Sequence, residues 1–214
     1  MKKDLMIRFM VFVLCPLLLL IAGCGRTQTA KFYTLNALTD PQMDRRSVSS
    51  GDGIAVGLGP IHLPEYLDRP QIVTRVSPNE VRFAEFERWA GPLVADFAST
   101  LAANLSSLLR TERVALYPWK TTAPIDCRVE IEVSRFDGKP GDSVSLQGRW
   151  SLFSKDRKRT LVTKNSSVTE PANGKGYEAL VAAQSRAIAK LSREIADAIQ
   201  ARPRDEPIPS SSGK

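Results

Sequence analysis

The chain has 214 residues, 30 of them Lys or Arg and 23 Asp or Glu, for a formal charge of +7. That excess is modest and scattered, so it argues for solubility and attraction to anionic lipid head groups, not for nucleic acid. There is one histidine, His62, and only one of the three cysteines is left free by the reading below, so a usual zinc site with three or four N/S ligands is excluded.

Lys2, Lys3 and Arg8 give the chain a positive start, and residues 9–22 are nearly all apolar. This run has the length of a signal-peptide core. It falls short of the roughly 20 apolar residues a spanning helix needs, and Pro16 interrupts it. Ile21-Ala22-Gly23-Cys24 closes it in the form of a bacterial lipobox. Residues 1–23 therefore read as a lipoprotein signal peptide and Cys24 as the lipid-attachment residue. Two acyl chains there, with a third on the freed amine, exceed the two-signal threshold for stable anchoring. Gly25 stands where an Asp would retain an enteric lipoprotein at the inner membrane, so the outer membrane is the expected address. Cys15 leaves with the signal and Cys24 takes lipid. Cys127 is then the lone free thiol, and its place in an alternating apolar pattern marks it as buried and structural.

Residues 32–35 form a short strand, and residues 36–53, rich in Ser, Asp, Arg, Pro and Gly, form a loop. Residues 54–59 resume a strand pattern. Pro60 and Pro64 then make residues 61–66 an edge or a bent connection. Residues 72–76 and 81–89 flank Ser77-Pro78-Asn79-Glu80 as a hairpin. Phe83 and Phe86 should point to opposite faces of it, which asks for a helix on one side and a partner subunit on the other. Gly91-Pro92 opens a helix with Leu93, Phe97, Leu101, Leu105 and Leu108 on its core stripe. A strand at 114–119 ends at Pro118. Cys127, Val129, Ile131 and Val133 alternate with polar residues in the clearest half-buried strand.

Residues 137–142 read as a turn cluster, and Val144, Leu146, Trp150 and Leu152 mark the next strand. Residues 161–168 form a polar, edge-like last strand. Between these two lies Lys155-Asp156-Arg157-Lys158-Arg159, a hairpin tip. It is either a solvated turn or a contact, through Lys155, Arg157, Lys158 and Arg159, with lipid head groups or an acidic partner. Asn173-Gly174-Lys175-Gly176 precedes a second long helix with Tyr177, Leu180, Ile188, Leu191, Ile195 and Ile199 on its stripe. Residues 202–214 are a disordered tail by composition. The expected fold is α/β, a single-domain sandwich of a mixed β-sheet with two long helices over residues 24–201.

Enzymatic parts are missing from the sequence. No G-x-S-x-G elbow precedes a helix, and His62 sits between Ile61 and Leu63. Glu85 and Glu87 share a strand face as a solvated pair, and Gly57-Leu58-Gly59 lacks the third glycine of a dinucleotide loop. The expectation is a protein that is not an enzyme and takes no metal or cofactor.

Gly59-Pro60-Ile61-His62-Leu63-Pro64-Glu65-Tyr66-Leu67-Asp68-Arg69-Pro70-Gln71-Ile72-Val73 resembles the signature of the auxiliary lipoproteins of ABC-type transport systems. Phe86-Glu87-Arg88-Trp89-Ala90-Gly91-Pro92-Leu93 and Lys31-Phe32-Tyr33-Thr34-Leu35 fit two further blocks of that family. The resemblance implies a non-catalytic outer-membrane lipoprotein on the periplasmic face. Its partners would be an MCE-domain tunnel protein and an inner-membrane transport component, and it would form a homo-oligomer. The residue it transfers is Cys24. Asp68-Arg69-Pro70 also reads plainly as a turn, with Asp68 accepting backbone N–H bonds. A structural envelope lipoprotein that binds peptidoglycan or an assembly complex is the alternative reading.

Overall fold

In a computed structural model, the described residues are Lys3 and residues 28–37, 53–119 and 124–202. The expectations for the signal segment, Cys24 and residues 203–214 lie outside them. The chain divides into two units, Met1–Ala30 and Lys31–Lys214, and the elements below belong to the second.

Eight strands form one sheet: β1 (Lys31–Tyr33), β2 (Val56–His62), β3 (Gln71–Ser77), β4 (Glu80–Trp89), β5 (Val114–Leu116), β6 (Cys127–Gly138), β7 (Ser143–Ser154) and β8 (Thr160–Pro171). Two α-helices among the described residues pack with it, α1 (Leu93–Leu109) and α2 (Tyr177–Ala201). The sheet is mixed. β6 runs parallel to β2 and β3 and antiparallel to β7, and β8 closes one side as an edge paired with β7 alone. This is the expected α/β sandwich.

The core follows from two periodicities. Cys127, Val129, Ile131 and Val133 on β6, and Val144, Leu146, Trp150 and Leu152 on β7, turn one apolar face of the sheet toward the helices. Leu93, Phe97, Leu101 and Leu105 of α1 answer them, as do Leu180, Ile188, Leu191, Ile195 and Ile199 of α2. Phe97 meets Phe136 edge to face, ring centroids 5.2 Å apart. Asn104 Nδ2 donates to Ser192 Oγ at 3.1 Å between the helices. At the β8 edge, Glu170 takes Arg186 at 3.1 Å and Lys190 at 2.6 Å from α2. Trp150 Nε1 donates to Ser166 Oγ, which donates to Glu194.

Beyond shifts of strand ends, three features differ from the sequence reading. β2 does not stop at Gly59 but continues to His62 through a register shift between Leu58 and Ile61. Gly59 supplies φ +114 there, and Pro60 occupies the irregular position, where its missing N–H costs no ladder bond. On β4, Ala84 and Trp89 are both buried although five residues apart. Regular alternation forbids that, and a slip of register between the Val73–Phe83 and Gln71–Arg88 pairs allows it. Finally, Asp137 and Gly138 belong to strand β6, opposite Ser145 and Val144, and the turn begins only at Lys139.

Phe97 joins helix to sheet at a fully buried position, so Phe97→Ala should cost about 3–5 kcal/mol, read from the urea midpoint. A loss below about 1 kcal/mol would mean that α1 is not fixed by this contact.

Candidate functional site

One flank of β6 is shared by two strands. β2 accompanies it from Cys127 to Glu132, and β3 rejoins it only at Gly138. Between these points the chain leaves the sheet, makes a 3-10 turn at Glu65–Leu67, and returns. A register shift in β6 between Val133 and Arg135 marks the same gap. Residues 59–73 are therefore the segment that spans a break in the ladder.

Asp137 fastens that segment. Its side chain is fully buried. Tyr66 Oη donates to Oδ2 at 2.7 Å, Arg75 donates to both oxygens at 3.1 and 2.5 Å, and Arg135 Nε donates to Oδ1 at 2.9 Å. Burial alone would raise the Asp137 carboxyl. The bonds from Arg75, Tyr66 and Arg135 outweigh it and hold the group below the usual Asp range. Burial, with the bond to Asp137, pushes the Tyr66 phenol up to about 12, so it stays a donor.

Beside this segment lie two contiguous hollows. The larger, about 380 Å³, is lined by Leu58 to His62, by Val94, Ala95 and Ala98 of α1, and by Leu116 and Tyr117. The smaller, about 220 Å³, shares Ile61, His62 and Val94 and adds Leu63, Glu65, Leu67, Asp68 and Leu93. Together they make a mostly apolar groove between β2 and the start of α1. Tyr117 is 56% exposed, and Val94 and Leu116 are each 39% exposed. Gly59 is required here, since a Cβ would come within 2.8 Å of Tyr117 Cβ.

The three sequence blocks meet at this place. Trp89 N–H donates to Pro70 O at 2.7 Å, which joins the second block to the first. Ala90 N–H donates to Tyr33 O at 2.9 Å, and Leu35 N–H donates to Asp96 of α1 at 2.8 Å, which ties in the initial strand. Residues 19 to 61 positions apart in sequence thus form one wall and its supports.

Other singled-out residues sit elsewhere. Cys24 lies outside the described residues. Residues 155–159 do form the β7–β8 hairpin tip, but Arg157 turns back, forking onto Glu130 of β6 at 2.8 and 2.9 Å. Lys158 reaches Asp156 at 4.0 Å, and Arg159 N–H donates to Ser154 Oγ, while Lys155 is exposed. His62 is exposed and lines both hollows. Asp68 donates its own N–H to Glu65 O, while its side chain lines the smaller hollow. It is Arg69 that ties the turn, donating to Tyr66 O at 2.9 Å. Burial lifts the Cys127 thiol to about 11, which leaves it unreactive. Among the described residues no group of three or more His, Cys, Asp or Glu could hold a metal ion. Sequence reasoning missed Asp137, Tyr66 and Arg75 as a unit, and Val94, Leu116 and Tyr117 as groove lining. The one available signal was an Asp at the end of an alternating strand.

Comparison with known proteins places this arrangement. A family model described as ABC-type transport auxiliary lipoprotein component matches residues 33–196. The intermembrane transport lipoprotein PqiC of Escherichia coli K12 is 27% identical over 133 residues, which covers 62% of this chain and 68% of PqiC. Two solved structures share the fold. An uncharacterized protein superposes with a TM-score of 0.65 at 21% identity, over 80% of this chain and 99% of its own. A protein from Xanthomonas campestris superposes at 0.59 and 16% identity, over 79% of this chain and 97% of its own.

Asp137→Asn removes a charge that two guanidiniums require and should cost about 3–5 kcal/mol in chemical unfolding. Because the native carboxyl lies below its unfolded value, its contribution is complete above about pH 4. It is lost as the pH falls through the native value. Acid unfolding of the wild type should therefore carry a stability slope below about pH 4 that the Asn variant lacks. Equal slopes would remove Asp137 from this role.

Proposed function

The chain belongs to the family of ABC-type transport auxiliary lipoprotein components. From that membership we propose that it is a lipid-anchored, non-catalytic part of an envelope-spanning intermembrane transport system. In this reading residues 1–23 are a removed signal, residues 24–201 are the working domain, and residues 202–214 are a tail. Cys24 carries the acyl groups and holds the domain on the periplasmic face of the outer membrane. The partners are an MCE-domain tunnel protein, an inner-membrane transport component and further copies of the same chain. No metal, cofactor or nucleic acid takes part.

The observation that carries the reading is an exposed apolar groove lined by the first block and by Leu93 of the second, with the initial strand bonded to the residues that support it. Exposed Val94, Leu116 and Tyr117 are better suited to docking than to solvent. The resemblance to PqiC, an intermembrane transport lipoprotein, supports the transport role. Tether length supports a domain held close to the membrane, because Lys31 lies only seven positions after Cys24. Fully extended, that stretch reaches at most about 25 Å, so the anchored domain stays against the bilayer.

The test is affinity purification from chemically cross-linked envelopes. Wild-type chain should bring down an MCE-type or ABC-type partner, and recovery of itself alone would sink the proposal. Cys24→Ala should move the chain from the membrane to the soluble fraction. Val94→Glu with Tyr117→Glu should leave the folded domain and its anchoring intact. Partner affinity should weaken by about 2 kcal/mol or more, roughly thirtyfold.

A further inference from the structure

Phe32 is the most exposed large apolar side chain among the described residues, at 63%. It lies on β1, the sheet edge nearest in sequence to the anchor. In the ladder Phe32 stands opposite Arg88, which stands opposite Gln71. Past the register shift, Val73 stands opposite Phe83, itself 45% exposed, and the residues that follow Phe83 and Arg88, Ala84 and Trp89, are both buried, which leaves Phe83 and Arg88 together on the other face. The Arg69 guanidinium lies over the Phe83 ring at 3.8 Å. Two exposed aromatic rings and two guanidiniums therefore share one patch. Neither Arg69 nor Arg88 forms an ion pair with a described residue, and Arg88 Nε, itself buried, lacks a hydrogen-bond partner there.

We propose that this patch is a membrane contact: Phe32 and Phe83 enter the head-group region, and Arg69 and Arg88 meet lipid phosphates. Aromatic rings with an apolar body and arginines with an unpaired charge are the side chains that settle at a bilayer interface. The proposal rests on the lipid-anchored reading above, because the seven-residue tether keeps β1 within about 25 Å of the surface. Topology sets the patch apart from the basic hairpin. The Phe32–Arg88–Gln71 row lies near the C-terminal end of β6, three residues of β3 before the Thr74–Gly138 pair. The Lys155–Arg159 tip follows Ser154, which is opposite Cys127 at the other end of β6 and across it. Roughly 25 Å of strand separates the two, so the basic hairpin lies outside the Phe32 patch.

The experiment places the photo-crosslinker p-benzoylphenylalanine in the full-length chain, as Phe32→p-benzoylphenylalanine or as Lys158→p-benzoylphenylalanine, in a bacterial host. Intact envelopes are irradiated and the purified chain is weighed by mass spectrometry. The expected result is a phospholipid adduct from position 32 with severalfold lower yield from 158. Arg88→Gln should lower the yield at 32 severalfold. Equal lipid adducts at both positions, more at 158, a protein adduct at 32 (a partner or a second copy), or no adduct there would overturn the proposal. The same spectra report acylation of Cys24. An unacylated chain defeats the lipid-anchored reading itself, whereas an acylated chain without an adduct at 32 defeats only this inference.

Discussion

A fully buried carboxylate governs the shape of this domain. Asp137 sits where β6 has lost β2 and not yet gained β3, beside a break in the hydrogen-bond ladder. Left alone, an ion there would cost several kcal/mol in lost hydration. Arg75, Arg135 and Tyr66 remove that cost by donating to both oxygens, and Tyr66 brings the spanning segment with it. The 3-10 turn holds itself by few backbone bonds: Leu67 to Pro64, Asp68 to Glu65 and Arg69 to Leu67. Its position over the sheet therefore depends on a charge that belongs to another strand. The groove beside it inherits that dependence, since Ile61, Leu63 and Leu67 form one wall.

The motif Gly59 to Val73 thus contains two kinds of residue. Gly59, Tyr66 and Arg69 position the segment, by a close approach to Tyr117, a bond to Asp137 and a bond to Tyr66 O. Ile61, His62, Leu63, Glu65 and Asp68 present side chains to the groove. A linear motif that looked uniform divides into scaffold and surface once the chain is folded. The second block divides similarly. Trp89 is buried and backbone-bonded to Pro70, whereas Leu93, at the end of the block, reaches the groove.

Most of the fold was legible because local periodicity carries it. Cys127 to Val133 alternate, the α1 and α2 stripes recur every three or four residues, and the β3–β4 hairpin announces itself by Ser77-Pro78-Asn79-Glu80. What escaped was long-range or irregular. Tyr66 and Asp137 are 71 residues apart and Arg75 and Asp137 62, so no local spacing records their meeting. Asp137-Gly138 has the composition of a turn and was read as one. Only Arg75, Arg135 and Tyr66 make a buried strand position tolerable for that carboxylate. The slip in β4 breaks the period of two, so the faces of Phe83 and Phe86 could not be counted from either end. Charges in the β7–β8 hairpin were visible, but the turning back of Arg157 toward Glu130 needed the fold.

Cys127 carries a consequence of its own. A free thiol open to oxidants invites cross-linking to other chains and irreversible oxidation. Here the sulfur lies under the helices with no solvent access, and its thiolate is suppressed by burial. Oxidants can reach it only when the centre of the sheet opens. The chemical lifetime of the chain is then set by how rarely it unfolds, so the packing of the core doubles as its antioxidant.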